Sequence, residues 1–185
     1  MKAWFNVLFS ITFVTALVFF INGCVAYEAA RDERSIGRFV DDKNIAMQVK
    51  YRLLKDEKVK GLDISVYSYL GKVYLIGAIE APAQGQRAEG IAHEVDGVKT
   101  VTSYFLDKKN GTTGMKVDDS TISAKVRSKL IQDEDIKSTQ IDVKTLMGHV
   151  ILLGVVGSER DRATAIKHAK SVKYVRKVKS FIIVW

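Results

Sequence analysis

Gly71-Lys72-Val73-Tyr74-Leu75-Ile76-Gly77 and Gly148-His149-Val150-Ile151-Leu152-Leu153-Gly154 are one phrase written twice, 77 positions apart. The register extends in both directions. Residues 41–106 lie on 118–183 without a gap: Asp41-Asp42 on Asp118-Asp119, Ile45, Val49 and Leu53 on Ile122, Val126 and Leu130, and Asp56-Glu57 on Asp133-Glu134. Downstream, Ala88, Ala92, Val95, Val98 and Val101 meet Ala165, Ala169, Val172, Val175 and Val178. A repeat of this length is one structural unit used twice. Between the copies, residues 107–117 (DKKNGTTGMKV) read as a polar linker.

Each copy predicts helix, strand, strand, helix, strand. Ile122, Val126 and Leu130 recur every four residues, forming one apolar helical stripe. Asp41-Asp42 and Asp118-Asp119 are placed to cap that helix, where a carboxylate meets free amides and the positive dipole end. Ile141 and Val143 alternate as in a strand, and Met147-Gly148 (Leu70-Gly71 in copy one) predicts a tight turn. Val150, Leu152, Gly154 and Val156 alternate on the returning strand, completing a hairpin. Gly77 and Gly154 are expected where a helix packs closely on the strand. Ala88, Ile91, Ala92 and Val95 are helix-spaced, and Val98, Val101 and Phe105 lead into the last strand.

The chain's start bears on where it works. Met1-Lys2 precedes an uncharged stretch, Ala3 to Ile21, which reads as a secretory signal or as an uncleaved membrane helix. It ends Ile21-Asn22-Gly23-Cys24, which resembles the bacterial lipobox, with Asn22 departing from the usual small residue. Cys24, the sole cysteine of 185 residues, falls where lipidation requires it, and an internal disulfide is impossible. Val25 follows it where an inner-membrane lipoprotein commonly has Asp, so the resemblance implies the outer membrane. The expected organisation is a signal peptide 1–23, an acylated tether 24–40, a first domain 41–106, a linker 107–117 and a second domain 118–185.

The pattern Asp-x-x-Ile, Val, Leu, Ile-x-Val, Gly-x-Val-x-Leu-x-Gly and Val-x-x-Val, as it stands in both copies, resembles the BON domain family. The resemblance implies an α+β fold: two tandem αββαβ domains, each a small three-stranded mixed sheet packed on two helices. Two copies behind a lipobox are similar to dual-BON lipoproteins. That likeness implies a palmitate-bearing, outer-membrane-anchored periplasmic protein with roles in envelope stress, envelope integrity and cell division.

No constellation for catalysis stands out. His93, His149 and His168 are scattered over different elements, and no cysteine pair or histidine cluster has metal-ligand spacing. No phosphate loop or nucleophile elbow is present. Asp56-Glu57 and Asp133-Glu134 read as solvated loop residues, and His149 as a turn residue without a role. We expect no enzyme, no cofactor and no metal.

The copies differ most in charge. Residues 41–106 carry nine basic and nine acidic side chains, whereas 118–185 carry thirteen and eight, concentrating the chain's net charge of +8 in copy two. The bland reading is a solvated face. Beside a membrane, however, each Lys or Arg near anionic lipid contributes about 1 kcal/mol. On the first helix of copy two, Thr121, Ala124, Ser128 and Ile131 lie opposite the core stripe with Lys125 and Arg127 on the flanks. Family resemblance implies that this helix contacts lipid. The expected partners are therefore anionic phospholipids such as phosphatidylglycerol or cardiolipin, through Thr121, Ala124, Lys125, Arg127, Ser128 and Ile131. The alternative is a protein adaptor for an envelope enzyme or outer-membrane assembly machinery. Met47, Tyr51 and Leu54 form an apolar stripe on copy one suited to a protein partner or the neighbouring domain. Nucleic acid fits the charge but not the export signal.

Overall fold

A computed structural model of the chain describes residues 36–110 and 117–185. The expected signal peptide, Cys24 and most of the tether lie outside the described residues. In the first repeat, α1 (Ile36–Lys55) is followed by β1 (Ile64–Tyr69), β2 (Lys72–Ile79), α2 (Pro82–His93) and β3 (Thr100–Asp107). The second repeat runs α3 (Asp119–Gln132), β4 (Ile141–Leu146), β5 (His149–Val156), α4 (Glu159–Lys170) and β6 (Lys177–Val184). In each sheet the central strand pairs antiparallel with the strand before it and parallel with the strand after α2 or α4. The fold is thus the expected α+β pair of αββαβ units. Helix α1 starts at Ile36, so the last five residues of the expected tether belong to it, and Phe39 is buried.

The helix stripes form the two cores. Ile45, Val49 and Leu53 pack with Val73, Leu75, Ala88 and Ala92; Ile122, Val126 and Leu130 pack with Val150, Leu152, Ala165 and Ala169. A third apolar cluster lies between the sheets. Tyr69, Tyr74 and Ile76 of the first repeat meet Ile151, Leu153 and Val155 of the second. Successive strand residues point to opposite faces, so β2 and β5 bury both: one side under helices, the other against the partner sheet. The domains are therefore stacked sheet to sheet. Met47, Tyr51 and Leu54 are not what the neighbouring domain covers; they stay 64%, 56% and 47% exposed.

Polar groups close the rim of this interface. The Tyr69 hydroxyl donates to the Asp142 carboxylate, and the Tyr74 and Phe181 rings pack with centroids 5.2 Å apart. Burial first, and the Asp142 charge second, push the Tyr67 phenol up to about 12. Tyr104 Oη and His149 Nδ1 are hydrogen-bonded at 2.7 Å, so His149 is an interface residue rather than an idle turn position. Burial, then the Lys177 and Arg176 cations, push its imidazole below the ordinary value. An imidazole whose pKa falls on folding supports the fold above its unfolded pKa of about 6.5. That support is lost as pH falls below it, because the unfolded chain takes up the proton first. The melting temperature of the wild type is expected to drop between pH 7.5 and 5.5, and that of His149→Gln to drop less. Equal drops would remove His149 as the cause.

The paired aspartates do something other than cap. Asp42 sits inside α1, and its carboxylate accepts from the Leu70 and Gly71 amides at 2.7 and 2.9 Å and from Ser68 Oγ at 2.7 Å. Asp119 accepts from Met147 and Gly148 N–H at 2.7 and 2.8 Å, while Asp118 occupies the N-cap position without a side-chain cap bond. Each carboxylate thus holds a hairpin turn whose central residues are both left-handed: Leu70 and Gly71 at φ 58° and 77°, Met147 and Gly148 at 52° and 77°. That is the two-residue hairpin connection matched to strand twist. A Leu or Met there is strained, and the charge-assisted bonds offset the strain.

Gly77 and Gly154 are also explained differently from the expectation. What crowds them is the 3-10 turn leading into β1 or β4, not the packed α2 or α4. A Cβ at Gly77 would lie 2.5 Å from the Asp63 carbonyl oxygen, and one at Gly154 only 1.9 Å from that of Gln140.

Candidate functional site

All six residues expected to meet lipid are exposed on α3, but they divide between two recesses. Lys125 and Ser128 line an open cleft of about 270 Å³ together with Lys129 and with Ser171, Val172 and Lys173 of the α4–β6 loop. Arg127 and Ile131 line an apolar notch of about 140 Å³ on the other flank, with Leu130, Thr139 and Ile141. Thr121 and Ala124 line neither. Ile131 is 69% exposed although it is a large aliphatic side chain.

Arg127 is not a free surface cation. Its Nη2 donates to the Val143 carbonyl at 2.8 Å, tying α3 to β4. The residue in the same register of copy one, Lys50, does the same job, donating to the carbonyls of Gly61 and Ile64 at 2.6 Å each. Burial lowers the Lys50 pKa, with the Lys144 charge adding to it. Removing either cation would therefore delete a helix-to-strand hydrogen bond as well as a surface charge. The cations suited to a ligand are Lys125, Lys129 and Lys173.

The loop is the part that sequence reading missed, although the repeat register held the signal. Glu94, Asp96 and Gly97 of copy one align with Ser171, Lys173 and Tyr174 of copy two. Beside the first helix, two acids become a hydroxyl and an ammonium, and a glycine becomes an aromatic. In copy one the corresponding helix residues are Gln48, Tyr51 and Arg52, and Arg52 is turned to the Glu94 carbonyl at 3.2 Å. A larger cavity, about 630 Å³, lies elsewhere, between α1, the β1–β2 turn and Trp185. Its lining is of mixed charge, with Asp41, Asp42 and Asp96 beside Arg38 and Lys99, unlike the all-cationic lysines of the α3 cleft.

Two of the acidic residues read as solvated, Asp56 and Asp133, are also engaged. Asp56 pairs with Arg87 at 2.6 Å, and this hydrogen bond is the chief cause holding its carboxyl below the ordinary value. Asp133 contacts His168 Nε2 at 2.6 Å, and that bond is the chief cause of its lowered pKa. Each ties the end of the first helix to the second, from Arg87 on α2 and from His168 on α4. Among the described residues, no group of three His, Cys, Asp or Glu is placed to hold a metal ion. Nor is any helix among them long and apolar enough to cross a membrane.

This architecture is a pair of stacked αββαβ units, one neutral and one cationic. A family model for the BON domain matches residues 41–105 and 118–184, and the chain belongs to that family. It is 33% identical over 147 residues to osmotically-inducible protein Y of Escherichia coli, covering 78% of this chain and 73% of that protein. It is 30% identical over 157 residues to outer membrane lipoprotein DolP of Haemophilus influenzae, covering 84% and 81%. A 21 kDa hemolysin of Actinobacillus pleuropneumoniae is 32% identical over 148 residues, covering 80% and 76%.

Proposed function

We propose that this chain is an outer-membrane-anchored periplasmic lipoprotein, acylated at Cys24, whose second BON domain binds anionic phospholipid in support of envelope integrity and cell division. The likeness to an outer membrane lipoprotein and the lipobox-like Ile21–Cys24 support the location. The observation that carries the binding is the cleft where Lys125, Lys129 and Lys173 converge beside Ser128 and Ser171, against a neutral first copy. A second reading, a protein adaptor, draws on the exposed Met47, Tyr51 and Leu54 of α1 and on Leu62, which is 84% exposed. The two surfaces lie on different domains, so separate variants address them.

Vesicle binding decides between them. Lys125→Ala with Lys129→Ala is expected to remove about 2 kcal/mol of attraction to phosphatidylglycerol or cardiolipin vesicles, roughly thirtyfold in affinity. The matched change in copy one, Gln48→Ala with Arg52→Ala, should have little effect. Raising salt should weaken the wild type, because screening acts within about 10 Å at 0.1 M. Failure to bind vesicles at any anionic lipid content would end the lipid reading and leave the adaptor; binding that ignores that content would end its anionic preference.

A further inference from the structure

The α4–β6 loop contains a residue that the fold does not ask for. Tyr174 has φ 73°, in the left-handed region that a bulky side chain rarely enters. Its counterpart, Gly97, has φ 85°, and glycine adopts that conformation without steric cost. The two loops follow one path. Lys99 N–H donates to the Gly71 carbonyl and Arg176 N–H to the Gly148 carbonyl, both at 2.8 Å, and each loop closes a turn from Val95 to Val98 or Val172 to Val175. The backbone therefore demands a left-handed residue in both copies. Copy one meets the demand with glycine, while copy two carries a tyrosine against it. Nor is the ring repaid by burial: it is 40% exposed, with the Lys173 ammonium 5.0 Å from its centroid. Strain held in place at an exposed aromatic points to use rather than to packing.

From this we infer that Tyr174 is an interfacial anchor for the bilayer, its phenol seating at headgroup depth while Lys125, Lys129 and Lys173 meet lipid phosphates. The inference rests on the lipid reading above and extends it from α3 to the neighbouring loop. The chemistry matches. A phenol is apolar along its ring and polar at its tip, which suits the membrane–water boundary. The cations beside it pair with phosphodiesters, and the open, shallow cleft suits a surface better than an enclosed small molecule. Three loop positions changed together, Glu94 to Ser171, Asp96 to Lys173 and Gly97 to Tyr174 in register. Each change moves the same way, towards an anionic, partly apolar boundary.

The test separates strain from function. The chain from residue 24 carrying Cys24→Ser, so that no acyl chain contributes, is first shown to unfold in a cooperative transition. It is then titrated with phosphatidylcholine vesicles with and without phosphatidylglycerol. Tyr174→Gly is expected to lose about tenfold in affinity for the phosphatidylglycerol vesicles while its melting temperature rises by about 2–4 °C as the strain is relieved. Tyr174→Trp should bind at least as well as the wild type. If Tyr174→Gly binds like the wild type, the anchor is refuted while the cationic cleft stands. If its melting temperature falls, the ring is a packing residue and the inference is overturned. Displacement from vesicles by millimolar inorganic phosphate, at constant ionic strength, would make the cleft a phosphate site and also overturn it. A wild type that binds no anionic vesicle would sink the lipid reading itself, and this inference with it.

Discussion

Gly154→Ala is expected to destabilise the protein by about 3–5 kcal/mol, a large effect for adding one methyl group. Two causes act together. Gly154 has φ 137°, where an L side chain is strained. Its Cβ would also lie 1.9 Å from the Gln140 carbonyl oxygen, and that atom is backbone at the entrance to β4, so the collision cannot be relieved by a rotamer. Gly77→Ala is expected to cost less, about 2 kcal/mol, because its backbone is not left-handed and its Cβ would lie 2.5 Å from the Asp63 oxygen. Urea denaturation of both variants gives the ordering directly. Equal and negligible losses would mean that the strand entrances do not approach these glycines.

Leu153→Glu should be at least as damaging, at about 4 kcal/mol or more, although helices cover the opposite face of β5. Leu153 is fully buried in the cluster shared by the two sheets. Its loss forfeits about 2 kcal/mol of apolar burial, and an unpaired carboxylate among Tyr74, Ile76 and Phe181 adds the cost of burying it. The matching change on the other sheet, Ile76→Glu, should behave alike. Because each variant weakens both repeats, the chain is expected to unfold in one transition and not in two. Tandem domains that merely share a linker would carry Leu153 on an open face, where glutamate costs well under 1 kcal/mol. A Leu153→Glu chain that melts with the wild type would therefore refute the stacked arrangement.

Much of the fold was legible in the sequence because its causes are local. Ile122, Val126 and Leu130 face one core because a helix repeats every 3.6 residues, and Met147-Gly148 turns because two left-handed residues suit a hairpin. The order of elements, the tandem copies and the charge contrast all follow from such short-range signals and from the repeat register. The exposed side of α3, with Thr121, Ala124, Lys125, Ser128 and Ile131, was legible for the same reason.

What was not legible depends on residues far apart in the chain. The alternation Val150, Leu152, Gly154, Val156 accounts for one face of β5, but Ile151, Leu153 and Val155 between them are equally buried, and only a second sheet explains that. An uninterrupted apolar strand signals two covered faces without saying what covers the second. Asp42 and Asp119 resemble caps until the hairpin turns fold back 28 and 29 residues later to take their carboxylates. Arg127 resembles a surface cation until its guanidinium reaches Val143.

The sequence by itself determined the two αββαβ units, their helix-side cores and the cationic character of the second, since periodicity, turn chemistry and composition are properties of neighbouring residues. Tertiary structure alone decided that the sheets stack face to face, that Lys50 and Arg127 hold helices to strands, and that Lys173 stands beside α3 with its ammonium over the Tyr174 ring. Those contacts join elements that no sequence spacing relates, and they form only when burial of the second sheet face brings the two copies together.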